Sequence, residues 1–275
     1  MRNQDIDTKL AGISSIQVIR SEAGEIRTSE DHIIQEVPLE IRLSREHMTS
    51  VQLAITMRTP GSDEDLITGF LYTEGIIQYI EEISWIKIKD NIAEVQLSNT
   101  CDYDLTRIKR RLLMSSSCGV CGKTDIKSLQ YTSKMLPWSS KVSVSIAMLS
   151  QMSQSMKEHQ ALFALTGGSH AAALFSKDGE LINIKEDIGR HNALDKLIGS
   201  SLGLHLSGDI ICVSGRTSYE MVQKTAMYGA PILLSVGPAS TLAIETAEMD
   251  GITLIGFMTD NRCNVYSAGH RVMVE

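Results

Sequence analysis

The sequence predicts an α/β fold preceded by a strand-rich α+β stretch. Three observations carry this. From about residue 170 onward, short apolar runs alternate with amphipathic helical stretches. Several of those runs, such as Ile210-Ile211-Cys212-Val213, are continuous, as strands covered on both faces are. Much of the first hundred residues alternates instead at period two.

Taken in order, Ile33 to Leu43 reads as one strand with Val37, Leu39, Ile41 and Leu43 on a common face, and Val51 to Ile55 repeats the pattern. Pro60-Gly61 turns the chain. Ser62 reads as an N-cap, with Asp63, Glu64 and Asp65 in the first turn of a helix that stops at Gly75. Trp85–Ile88 and Ile92–Leu97 are expected strands, 107–127 an exposed loop, and Ser145 to Leu165 one amphipathic helix. Strands follow at 171–175 and 181–185, then a helix at 190–202, a strand at 209–214 and a helix at 218–228. A strand at 232–236, a helix at 240–249, a strand at 252–258 and a short strand at 264–267 complete the chain. The expected division is a strand-rich N-terminal domain over 1–114, a loop and linker over 115–144 and an α/β domain over 145–275.

Composition sets outer limits. With 275 residues, 43% hydrophobic and 21% charged, the chain can bury a full core. Its net charge of −7 argues against a general nucleic-acid binder, though not against a local basic site. There is no apolar run near the roughly 18 residues of a membrane helix and no secretory apolar stretch at Met1–Ser15, so a cytoplasmic protein is expected.

Four stretches point to chemistry. Cys118 and Cys121 form a CxxC pair within 107–127, where six basic side chains face one acid. Cationic surroundings favour thiolate, so this pair reads as a reactive thiol; half of a zinc site and an idle surface pair are the alternatives. Thr166-Gly167-Gly168-Ser169-His170 is a turn delivering a histidine into a strand. Glu186 to Asn192 joins a strand to a helix start, where free N–H groups, Gly189, Arg190 and His191 suit a phosphate, although Asp187 could equally be a cap. Ser214-Gly215-Arg216 is a second such junction, and Phe257 to Arg262 ends a third strand. Cys212 reads as core.

With these residues in hand, the chain resembles the FdhD family of formate dehydrogenase accessory sulfurtransferases. The resemblance rests on Ser117–Gly122, Thr166–Phe175, Glu186–Lys196, Ser214–Arg216 and Gly256–Tyr266, and runs from about Pro38 to the end. It implies a C-terminal domain similar to the cytidine deaminase fold, a homodimer, and a carrier that takes sulfur from a cysteine desulfurase as a persulfide on Cys118. It implies transfer to molybdenum in bis(molybdopterin guanine dinucleotide), bound as substrate before it enters formate dehydrogenase, with no intrinsic metal. The binding segment it implies is Phe257, Met258, Thr259, Asp260, Asn261 and Arg262. Family members often carry a basic residue and a glycine within that segment, where this chain has Thr259-Asp260-Asn261, so Phe257 and Arg262 carry over most directly.

Two rivals stand beside this reading. A zinc deaminase needs H-x-E, whereas His170-Ala171-Ala172 has alanine in place of the glutamate and so lacks a proton shuttle. A chaperone that binds the molybdenum cofactor without transferring sulfur is the alternative function.

Overall fold

The computed structural model describes residues 11–104, 142–260 and 262–273. The CxxC loop and most of the expected linker lie outside the described residues.

Strands β1 (Ile13–Glu22) and β2 (Glu25–Ile34) form an antiparallel ribbon. Its turn places both Ala23 and Gly24 at positive φ, as a tight two-residue hairpin requires. The long strand expected over 33–43 is therefore split. The chain breaks at Gln35, whose backbone N–H donates to Gly12 O and whose side chain donates to Ser14 Oγ, before β3 (Val37–Ser44) starts.

β3 joins β4 (Val51–Arg58), β5 (Ile83–Lys89) and β6 (Ile92–Leu97) in a sheet of order β4-β3-β6-β5. Leu39, Ile41 and Leu43 of β3 and Ala93, Val95 and Leu97 of β6 point inward at period two. Helix α1 (Asp63–Thr73) follows β4. Ser62 does not cap it: the residue sits at φ 54 and makes no capping hydrogen bond. The first-turn acids are engaged elsewhere, Asp63 with Arg58 at 2.9 Å and Asp65 with Lys185 at 2.7 Å.

The C-terminal half opens with β7 (Val144–Ser145) and α2 (Ile146–Glu158), capped by Ser145, whose Oγ accepts from Met148 N–H. The single helix expected over 145–165 is interrupted at His159-Gln160, and α3 (Ala161–Thr166) is separate. A six-stranded sheet follows, built from β8 (His170–Phe175), β9 (Leu181–Asp187), β10 (Ile210–Val213), β11 (Ile232–Ser235), β12 (Thr253–Thr259) and β13 (Arg262–Val265). Its order is β13-β12-β11-β10-β8-β9. β10, β11 and β12 are parallel; β8 runs antiparallel to both of its neighbours. The last short strand lies at 262–265 rather than at 264–267, because β12 turns back at once and pairs Thr259 with Arg262. β14 (Val272–Met273) pairs with β7.

Both faces of this sheet are covered, which explains the continuous apolar runs. Ala172, Leu174, Ile211 and Leu233 face α4 (Arg190–Gly203), α5 (Tyr219–Tyr228) and α6 (Thr241–Asp250) in a core that also holds Leu39 and Ile41. Ala173, Phe175, Ile210 and Leu234 face Leu149 and Met152 of α2. Cys212 belongs to that second core, and burial pushes its thiol pKa far up.

The two sheets meet where α1 crosses α4. A Cβ on Gly69 would lie 1.9 Å from Asp195 O, and one on Gly199 would lie 1.9 Å from Asp65 O. Backbone meets backbone here, so only glycine fits at either position.

Candidate functional site

The carboxyl ends of β9, β10, β11 and β12 and the start of antiparallel β8 share one edge of the sheet. Parallel strands release their polar connections there, which is where open α/β sheets bind ligands. Serines and glycines extend the edge. Gly237 N–H donates to Gly215 O and Phe257 N–H to Gly237 O, while Ser235 Oγ donates to both glycine carbonyls. A Cβ on Gly237 would lie 2.8 Å from Gly215 O. Ser214 Oγ accepts from Ala171 N–H and ties β10 to β8.

A cleft of about 540 Å³ opens on this edge. His170, Ser214, Met258, Thr259 and Asp260 line its sheet side; Lys157, Gln160 and Phe163 line the other. Lys157 and Gln160 come from the end of α2 and the link beyond it, and nothing in their local sequence marks them.

The polar run Glu186–Asn192 divides into two groups. Glu186 accepts from Leu162 and Phe163 N–H and from Ser169 Oγ, so it fixes α3 and the turn that delivers His170. Asp187 is fully buried. It accepts from Thr59 N–H, Gly189 N–H and the Asn192 amide, and pairs with Lys196 at 2.7 Å. These residues hold the junction to the first sheet. Gly189 is the N-cap of α4, with no side-chain cap.

Arg190, His191 and Arg216 lie beyond that frame, the first two half-buried and Arg216 exposed. A Cβ on Gly215 would lie 3.3 Å from His170 Nδ1 and 3.6 Å from Arg190 Cδ, so the imidazole and the guanidinium stem flank one glycine. Arg190 Nε is buried without a hydrogen-bond partner. Burial, then Arg190 and Arg216, lower the His170 pKa below its ordinary value. Burial, then Arg190 and Lys224, lower that of His191 to about 4. The His191 ring lies 3.3 Å from Ser218 Oγ and 3.1 Å from the Glu220 carboxylate.

Phe257 adopts φ 53, a left-handed conformation that is a genuine outlier for a bulky side chain. It sits where β12 and β13 slip register between Gly256 and Thr259, and the Arg262 guanidinium lies 5.5 Å from its ring centre. Met258 is buried beside the cleft; Thr259 and Asp260 are exposed on it. The structure thus brings Met258, Thr259 and Asp260 together with His170, and Arg190 and Arg216 together with His170. Cys118, Cys121 and Asn261 lie outside the described residues. Among the described residues, no three His, Cys, Asp or Glu side chains are placed to hold a metal ion. No helix among them is long and apolar enough to cross a membrane.

Residues 34–273 match the model of the FdhD/NarQ family. A sulfur carrier protein FdhD of Sulfurisphaera tokodaii is 40% identical over 259 residues, covering 93% of this chain and 96% of that protein. One of Streptomyces avermitilis is 39% identical over 272 residues, covering 93% and 94%. The fold is similar to a crystal structure from Desulfotalea psychrophila, of a protein provisionally named as a formate dehydrogenase accessory protein. Its TM-score is 0.76 at 24% identity, covering 95% of this chain and 99% of that one.

Proposed function

The chain belongs to the FdhD/NarQ family, and from that premise we propose that it is a sulfur carrier serving formate dehydrogenase maturation. It takes sulfane sulfur from a cysteine desulfurase as a persulfide on Cys118. It delivers that sulfur to the molybdenum of bis(molybdopterin guanine dinucleotide), its substrate, in the cytoplasm and as a homodimer. Relatives named as sulfur carrier proteins support the carrier role. The mixed sheet, with helices on both faces, supports the deaminase-like reading of the C-terminal half.

The observation that carries the ligand side is the sheet edge with Arg190, Arg216 and His170 beside the cleft. The exposed Arg216 guanidinium beside the His170 ring suits a phosphate oxygen, and the cleft suits a nucleoside. The substrate would be held there by its phosphates while molybdenum supplies the sulfur-accepting centre. On the protein side, the Cys121 thiol attacks the Cys118 sulfur of the persulfide. The sulfur–sulfur bond of the persulfide breaks, a Cys118–Cys121 disulfide forms, and sulfide leaves carrying the electron pair and the thiol proton. An external dithiol reductant then restores both thiols.

Incubation with a desulfurase and cysteine should add about 32 Da, reducible and absent from Cys118→Ala. Loading on the variant, or none on the wild type, would remove the carrier role. A protein that binds guanosine diphosphate but never loads sulfur would be the non-transferring chaperone instead.

A further inference from the structure

The turn ending in His170 is held by several constraints that the sulfur chemistry does not require. Gly167 adopts φ 64, a Cβ on Gly168 would meet Ile34 at 2.8 Å, and Ser169 is tied to Glu186 at 2.7 Å. The backbone of His170 is paired in register with Asp187. Every constraint acts on the main chain or on neighbours. Among the described residues the imidazole itself has no hydrogen-bond partner, yet it is partly buried, lines the cleft and lies against Gly215 beside Arg190.

We propose that His170, Arg190 and Arg216 form one phosphate-binding subsite, in which His170 touches the phosphate and takes up a proton as it binds. This deepens the proposed function and rests on its reading of this edge as a nucleotide site. The contrast with other arginines favours it. Arg20, Arg27, Arg42 and Arg58 each pair with a carboxylate, and Arg45 and Arg271 donate to backbone carbonyls, whereas neither Arg190 nor Arg216 has either kind of partner among the described residues. Arg216 is exposed and Arg190 half-buried, so the pair presents positive charge next to the His170 ring, where an anion would complete the set.

The charged groups around His170 set the sign. Arg190 from α4 and Arg216 after β10 disfavour its protonation; Asp187 at the end of β9 favours it weakly. His191 adjoins on α4, and Lys157 and Asp260 face the same cleft. Without ligand the ring is therefore neutral at pH 7. A phosphate seated against the guanidinium groups reverses the local field and raises the affinity of the ring for a proton. Binding then consumes a proton and tightens as pH falls.

The test titrates inorganic pyrophosphate calorimetrically into the full chain at pH 7, in two buffers of different ionisation heat. The wild type should take up more protons than His170→Asn, and the variant should bind roughly three- to tenfold more weakly. In the wild type the His170 imidazole NMR signal should shift toward the protonated form on addition of pyrophosphate, a readout that needs no variant. Equal proton uptake in both proteins, an unmoved signal or no pyrophosphate binding overturns the subsite. Guanosine diphosphate binding without pyrophosphate binding would sink the subsite and leave the carrier reading standing. Pyrophosphate uptake through His170 without guanosine diphosphate binding would do the reverse to the nucleotide assignment.

Discussion

Replacing Asp187 with asparagine tests whether the junction beneath Arg190 is an electrostatic tie between the two halves of the chain. The carboxylate is fully buried and holds three N–H donors, from Thr59, Gly189 and Asn192, at 3.0, 2.8 and 3.2 Å. It also pairs at 2.7 Å with Lys196, whose ammonium has one other acceptor among the described residues, Thr59 O. Asparagine keeps the shape and removes the charge. The ammonium is then left buried without a counter-ion, which costs about 3–5 kcal/mol. An amide NH₂ also replaces one acceptor oxygen, so either Thr59 N–H or the Gly189 and Asn192 donors lose a partner, at about 1–3 kcal/mol. The two costs overlap because both arise from one group, and the expected loss is about 4–5 kcal/mol.

Lys196→Met should cost less, about 2–3 kcal/mol, because the carboxylate keeps its three donors. The double variant should be more stable than the two losses together would allow, with a coupling above about 1.5 kcal/mol. Urea unfolding followed by circular dichroism measures all three. A loss below about 1 kcal/mol for Asp187→Asn, or strict additivity, would refute the argument.

Gly69→Ala should cost more than about 4 kcal/mol or abolish soluble expression, because its Cβ overlaps the Asp195 carbonyl; a melting temperature near wild type would show that the α1–α4 crossing can open. Phe257→Gly should leave stability within about 1 kcal/mol of wild type, since relief of the left-handed strain offsets lost packing, while guanosine diphosphate affinity falls roughly fivefold or more. Unchanged affinity would mean that the strain serves only the β12–β13 turn. For His191, the unfolded chain takes its proton near pH 6.5 and the folded chain only near pH 4, so the unfolded state binds more protons between those values. Stability should therefore fall by up to about 3 kcal/mol as pH drops through that window, and His191→Gln should flatten the curve in urea titrations at pH 7, 5.5 and 4.5.

The strands of the second half were legible because coverage on both faces leaves an unbroken apolar signature, as in Ile210–Val213. The β1–β2 ribbon was not legible, because it leaves much of both faces open to solvent. Ile19 and Ile26 stay exposed while Arg20 and Arg27 pair with Asp31 and Glu22, so no alternation marks it. Ser62 fails as a cap for a similar reason of context: the acids that should favour the helix start are engaged by Arg58 and Lys185, and Lys185 arrives from a strand far along the chain. The candidate site was legible as a set of polar strand ends that share one sheet edge, but the partners of each residue were not. A carboxylate at a strand end binds a ligand or a remote backbone N–H equally well, and nothing local tells Asp187 that Thr59 will fold against it. Folding performs that division. Once Glu186, Asp187 and Asn192 have found partners within the chain, the described polar groups at this edge without one include Arg190 Nε, Thr217 Oγ1 and the ring of His170, which lines the cleft. Unmet hydrogen-bonding capacity gathered beside a cleft at the sheet edge is thus a property of the folded chain that residue type alone does not display.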